Sequence, residues 1–186
     1  MNQKIALLLF LLFFQQNSFS QPETVTDIDG NSYKTILIGN QLWMAENLRT
    51  TKLNDGTKIS YLADKFTWSN STSPLYCWDN NNENDKNKIY GALYNWYTVE
   101  TGKICPIGWH VPSKSIGTNK PYITVGYRDE NGSFWLVKNR CSIWTSTEYS
   151  IYQAYHTVLF FDNSQSQIEI ADKKYGISIR CVKEYR

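Results

Sequence analysis

Apolar and polar residues alternate in short runs over much of this chain, and most reversals of the pattern fall on a turn dipeptide. Residues 24–28 and 32–38 flank Asp29-Gly30-Asn31, and Gly39-Asn40 leads into residues 41–45. Alternation interrupted by Asp-Gly or Gly-Asn predicts antiparallel hairpins, because these residues take up the backbone angles of tight turns. Asn54-Asp55-Gly56-Thr57 predicts a further tight turn. The pattern returns near the C-terminus, where Asp129-Glu130-Asn131-Gly132 divides residues 127–136. Residues 142–148, 154–162, 167–171 and 176–184 follow as strand candidates. In the last of these Ile177, Ile179 and Cys181 alternate with Ser178, Arg180 and Val182, the pattern of a strand with one buried face.

Residues 90–113 break this rhythm. Tyr90, Leu93, Tyr94, Trp96 and Tyr97 recur near helical spacing and predict one short amphipathic helix, ended by residues 98–102 with Gly102 at its C′ position. Residues 105–112, with Pro106, Trp109, His110 and Pro112, read as a rigid connector anchored by its rings. Each buried aromatic ring contributes roughly 1.5–3 kcal/mol, so this stretch belongs in a core.

Residues 69–88 are the most polar segment. Here Asp79, Asn81, Glu83 and Asp85 lie beside Tyr76 and Trp78. Oxygen ligands next to an aromatic ring suit a calcium or glycan loop. The 1, 3, 5 spacing of Asp79, Asn81 and Glu83 matches the start of a calcium loop, but Asn84 and Tyr90 stand where an EF-hand needs Gly and Glu. The other reading is a solvated loop of Asn turns. Asp27-Ile28-Asp29 imitates a calcium loop still less completely and reads as a turn. Glu46, Asn47 and Arg49 line a polar site or satisfy buried backbone at a chain crossing.

At 186 residues with 15% aromatic and 19% charged residues, the chain is one domain's worth of aromatic-rich, β-prone sequence. A net charge of +2 gives no reason to expect nucleic acid as a partner. Residues 1–20 carry Lys4, a ten-residue apolar run over 5–14, and small residues Ser18 and Ser20. They read as a secretory signal peptide cleaved before Gln21, leaving a single domain over 21–186 with no membrane-spanning segment. Export permits disulfides. Cys77, Cys105, Cys141 and Cys181 allow three pairings, and no C-x₂-C zinc spacing occurs. His110 and His156 are the only imidazoles, and no nucleophile elbow, P-loop or dinucleotide motif is present. His156 reads as a surface strand residue. Glu46, Asp79 and Glu148 are the carboxylates available for glycoside chemistry.

Six blocks carry a resemblance: residues 43–57 (WMAENLRTTKLNDGT), 76–81 (YCWDNN), 90–113, 133–135 (SFW), 144–148 (WTSTE) and 175–183 (YGISIRCVK). In this order they resemble the Fibrobacter succinogenes major paralogous domain over nearly all of residues 24–186. The resemblance implies an α+β, C-type-lectin-like fold related to formylglycine-generating enzymes. Such a fold is rich in β-hairpins, with one or two short helices, long irregular loops and a closing disulfide. It pairs Cys105 with Cys181 and leaves Cys77 and Cys141 as a second pair. It also implies a helix after residues 109–113, where only residues 114–121 are present; a shortened, degenerate paralogue is one reading of that gap. The lectin motifs for calcium-bound sugar are missing, and Cys141 and Cys181 do not match the enzyme's cysteine pair. The expected function is an exported, non-enzymatic module binding a surface glycan or protein. Its expected face comprises Trp78, Asp79, Asn81, Glu83 and Asp85 with Trp144 and Glu148, with calcium as a candidate cofactor. An enzyme of the formylglycine-generating branch is the alternative.

Overall fold

In the computed structural model of the chain, residues 23–82, 90–113, 125–136, 140–160 and 165–185 are described. The signal-peptide candidate and the shortened segment 114–121 lie outside the described residues. The hairpins form where the turn residues put them. Strands β1 (Thr24–Thr26), β2 (Ser32–Ile38) and β3 (Gln41–Met44) pair antiparallel. Gly30 and Gly39 supply the positive φ of the two turns, +84° and +61°. Asp27 serves the first turn. Its Oδ1 accepts from the Asp29 and Asn31 amides at 3.0 and 2.9 Å, and its Oδ2 accepts from the Tyr33 hydroxyl at 2.5 Å.

The chain crossing after β3 is structural, as one of the two readings had it. Glu46 Oε1 accepts from the Lys34 amide at 3.0 Å, and Arg49 donates to the Ser32 carbonyl at 2.8 Å while covering the Tyr33 ring. Asn47 donates to the Tyr90 carbonyl at 2.9 Å and accepts from Arg180 Nε at 2.8 Å.

Next come β4 (Ser60–Tyr61), helix α1 (Lys65–Asn70) and β5 (Leu75–Cys77). The helix expected over 90–97 is displaced. Leu93–Tyr94 is a strand, β6, and helix α2 occupies Trp96–Glu100. Asn95 decides this boundary: its side chain caps the helix by accepting from the Thr98 amide. Tyr94 meanwhile pairs with Tyr76 and Ile177. Gly102, at φ +66°, ends the helix as expected.

Strands β7 (Tyr127–Arg128) and β8 (Phe134–Trp135) make a small hairpin. A three-stranded antiparallel sheet, ordered β11-β10-β9, is formed by β9 (Arg140–Glu148), β10 (Gln153–Phe160) and β11 (Ser166–Asp172). The last strand, β12 (Val182–Glu184), returns to β3, so the first and last strands share a sheet. The described residues are mostly β, with two short helices, a higher β content than an α+β class implies.

The half-buried strand expected over 176–184 is instead a fully buried stem. Every residue from Ile177 to Val182 is at most 2% exposed, on both sides. It exchanges backbone hydrogen bonds with Arg128, Tyr94 and His110, donates from no regular sheet until β12, and accepts from the Trp144, Leu48 and Met44 amides. Cys181 closes the disulfide with Cys105, with the two Cα atoms 5.8 Å apart. The second expected pair does not form: Cys77 and Cys141 are free thiols. Cys77 packs with Trp68, Leu75, Leu93 and Val125, whereas Cys141 packs with Trp43, Ile143, Leu159 and Val182 in a different cluster. Burial pushes their thiols up to about 12 and about 11.

Arg128 is 1% exposed and lies between the rings of Trp68 and Phe134, at 4.4 and 5.0 Å. It donates to the carbonyls of Leu62, Ala63 and Gly132 at 2.6, 2.8 and 3.1 Å. These bonds tie the β4–α1 connection to the β7–β8 hairpin.

Two outcomes follow from this packing. A thiol reagent should label neither Cys77 nor Cys141 in the native chain and both after denaturation without reductant; a third or fourth reactive thiol would contradict the disulfide. Arg128→Met should lower stability by roughly 2–4 kcal/mol in urea unfolding, because three buried carbonyls lose their donor. An unchanged midpoint would remove Arg128 from this role.

Candidate functional site

The β9–β10 turn is held rigidly. The Tyr149 and Ser150 amides both donate to the Gln153 carbonyl at 2.9 Å, the Ser150 hydroxyl accepts from the Gln153 amide at 3.1 Å, and the Lys173 amide donates to the Tyr152 carbonyl at 2.9 Å. On this turn Tyr149, Ile151 and Tyr152 point to solvent, the last two at 71% and 67% exposure. Strand parity extends the surface down the sheet. Tyr155 on β10 faces Ile170 of β11, and Ile168, two residues along, faces Thr157. Tyr149 meets Tyr155 edge-on at 5.4 Å, and Ile168 and Ile170 are exposed. The result is an aromatic and aliphatic face on an ordered scaffold. Contiguous apolar surface of this kind marks interaction sites, and tyrosine contributes large contact area with few rotors to freeze.

The described residues of the expected ligand face do not form an exposed face of this kind. Trp144 is fully buried and donates its Nε1–H to the Tyr94 carbonyl at 2.8 Å, so neither ring face is open to a ligand. Trp78 is 6% exposed and packs edge-on against Tyr76 at 5.7 Å, again in the core. Both expectations are corrected by the same cause: an indole ring in a 186-residue chain finds more contact inside than out. Asp79 and Asn81 bound a 3₁₀ turn, Asp79–Asn81, in which Asn80 and Asn81 have φ of +50° and +52°. Asn81 Nδ2 donates to the Ala63 carbonyl at 3.1 Å, and burial raises the Asp79 carboxyl. Glu83 and Asp85, on which the calcium reading rests, lie outside the described residues. Among the described residues no three His, Cys, Asp or Glu side chains converge to hold a metal.

Glu148 is an anchor. It accepts from buried Lys173 at 2.5 Å, Lys173 also reaches Glu100 at 3.4 Å, and its ammonium stands 4.6 Å from the Trp96 ring centre. Of the three carboxylates considered for glycoside chemistry, Glu46 is engaged by the Lys34 amide and Arg49, and Glu148 by Lys173. Of the two cysteines in the enzymatic alternative, Cys181 is bridged and Cys141 is buried.

Sequence reading missed two features. Lys173 gave no signal, being one of two consecutive lysines after β11. His156, expected on the surface, is 7% exposed and lies edge-on to Trp144 at 5.9 Å. Burial, with the Arg140 charge, lowers its imidazole to about 4, so it is neutral near pH 7. Its Nδ1 has no hydrogen-bond partner. Alternation could not assign its side because Ala154, Val158 and Leu159 around it are buried as well.

No curated protein and no solved structure matches the chain. The sequence model of the Fibrobacter succinogenes major domain matches residues 36–116, which run from β2 through α2 and the Cys105 connector. Over that segment, the chain is similar to the Fibrobacter succinogenes major domain family.

Proposed function

We propose that this chain is an exported, non-enzymatic binding module that engages a cell-surface protein or glycan through the tyrosine face of β9–β11. The observation that carries the reading is the rigid turn presenting Tyr149, Ile151 and Tyr152 beside Ile168 and Ile170. Five exposed apolar side chains on ordered backbone cost solvation free energy that a partner's surface would recover. The carboxylates and cysteines that an enzyme would use are engaged in ion pairs, bridged or buried.

A C-type-lectin-like fold and export go with this proposal. The fold reading is supported by the shared sheet of the first and last strands and by the Cys105–Cys181 bridge ahead of Gly108-Trp109-His110. Export is supported by the apolar run 5–14 with Ser18 and Ser20 behind it, and by the disulfide itself. No described helix is long and apolar enough to cross a membrane.

Mass spectrometry of the chain recovered from outside the producing cell should find Gln21 at its N-terminus; recovery of the uncleaved chain in the cytosol would contradict export. Co-sedimentation with cell envelopes of the producing organism should show saturable binding. Tyr149→Ala with Tyr152→Ala should weaken it at least about tenfold while leaving the unfolding midpoint nearly unchanged, since both rings are exposed. Protease treatment of the envelopes would abolish binding to a protein, and periodate would abolish binding to a glycan. Equal binding by the double variant would overturn the assignment of this face.

A further inference from the structure

The inner face of the same sheet offers a second site, opposite the tyrosines. Strand parity turns Arg140, Ser142 and Trp144 of β9, His156 of β10 and Glu169 of β11 to one side, with Trp144 and Glu169 both paired to His156 across the sheet. Tyr127 and Tyr175 pack above them as a stacked pair, ring centres 5.6 Å apart and planes 6° from parallel. Between these layers lies a cavity of about 160 Å³, floored by Ala171 and Ile177.

Among the described residues, part of its polar lining lacks a side-chain partner. The buried Nδ1 of His156 lacks a partner. Arg140 and Glu169 both line the cavity, yet among the described residues neither side chain makes a hydrogen bond or ion pair. They stand on the two strands flanking β10 and four register positions apart along it. Their backbone positions are therefore roughly 16 Å apart by the usual strand spacing and rise, and the two side chains reach toward each other from opposite ends of the cavity. A cation and an anion so placed do not neutralise each other, and each disfavours a ligand carrying only its own sign of charge.

We propose that this cavity binds a small zwitterion of the α-amino acid class, its carboxylate toward Arg140 and Ser142 and its ammonium toward Glu169. His156 Nδ1 supplies the remaining polar contact, and the ligand's side chain lies against the stacked Tyr127 and Tyr175 rings. The volume sets the size, since a cavity of about 150 Å³ accommodates benzene. A ligand of roughly six to nine non-hydrogen atoms therefore fits. This site is independent of the tyrosine face and survives if that face proves inert.

Isothermal titration of the purified chain with each common α-amino acid tests the proposal. At least one should bind saturably with one-to-one stoichiometry, and its deaminated acid and decarboxylated amine should each bind at least about tenfold more weakly. Arg140→Gln and Glu169→Gln should each weaken binding by a similar factor with the circular dichroism spectrum unchanged. No binding of any common α-amino acid at about 10 mM would overturn the site. So would equal binding of the acid or amine, or undiminished binding by both folded variants. If a variant fails to fold, the comparison of the three ligand forms on the unaltered chain decides.

Discussion

The buried stem over residues 176–182 is the constraint on which the rest of the structure depends. Its backbone bonds to β7 through Arg128, to β6 through Tyr94, to β9 through Trp144, to the β3 end through Met44 and Leu48, and to the connector through His110. The small sheets are thus held to one another by a single extended segment. Short strands, several only two or three residues long, have little stability alone. Attached to a common stem with both sides dry, their hydrogen bonds are shielded from water and worth more. Cys181 adds a covalent tie to residue 105 across 76 residues, an entropic restraint on the unfolded chain worth about 4 kcal/mol in the loop-closure account.

The two proposed binding surfaces inherit this rigidity. Sheet β9–β11 is fixed by Trp144, whose amide and indole both bond into the stem region. Its outer side ends in a turn with no freedom to fold its tyrosines inward, and its inner side keeps a void because the flanking Tyr127 and Tyr175 stack on each other. Catalysis needs a nucleophile and a base within reach of one another. The neutral His156 shares its side of the sheet with Trp144, Arg140 and Glu169, and among the described residues its Nδ1 has no hydrogen-bond partner.

The turns were legible because a positive φ restricts residue choice, and Gly30, Gly39, Gly56 and Gly132 all adopt it. The Cys105–Cys181 bridge was legible only through the family resemblance. What sequence periodicity could not show is which polar residues a dry interior accepts. Ser178 and Arg180 looked like a solvent face, yet Arg180 is 2% exposed and bonded to Asn47. Trp78 looked like a sugar platform because polar residues follow it, but its ring is buried and Asn81 serves the Ala63 carbonyl. The helix was misplaced by a few residues since Tyr94 and Trp96 suit either a strand or a helix, and the capping by Asn95 settled it.

Native-state hydrogen exchange tests the central claim, that the stem holds the sheets together, most directly. The amides of Tyr94, Trp144, Ile177 and Val182 should exchange most slowly, all at one common rate set by global unfolding. Amides of β1 and β11, at the sheet edges, should exchange earlier. Slow exchange confined to one outer sheet, with the stem amides exchanging ahead of it, would mean that the sheets are stable independently and that the stem only follows them.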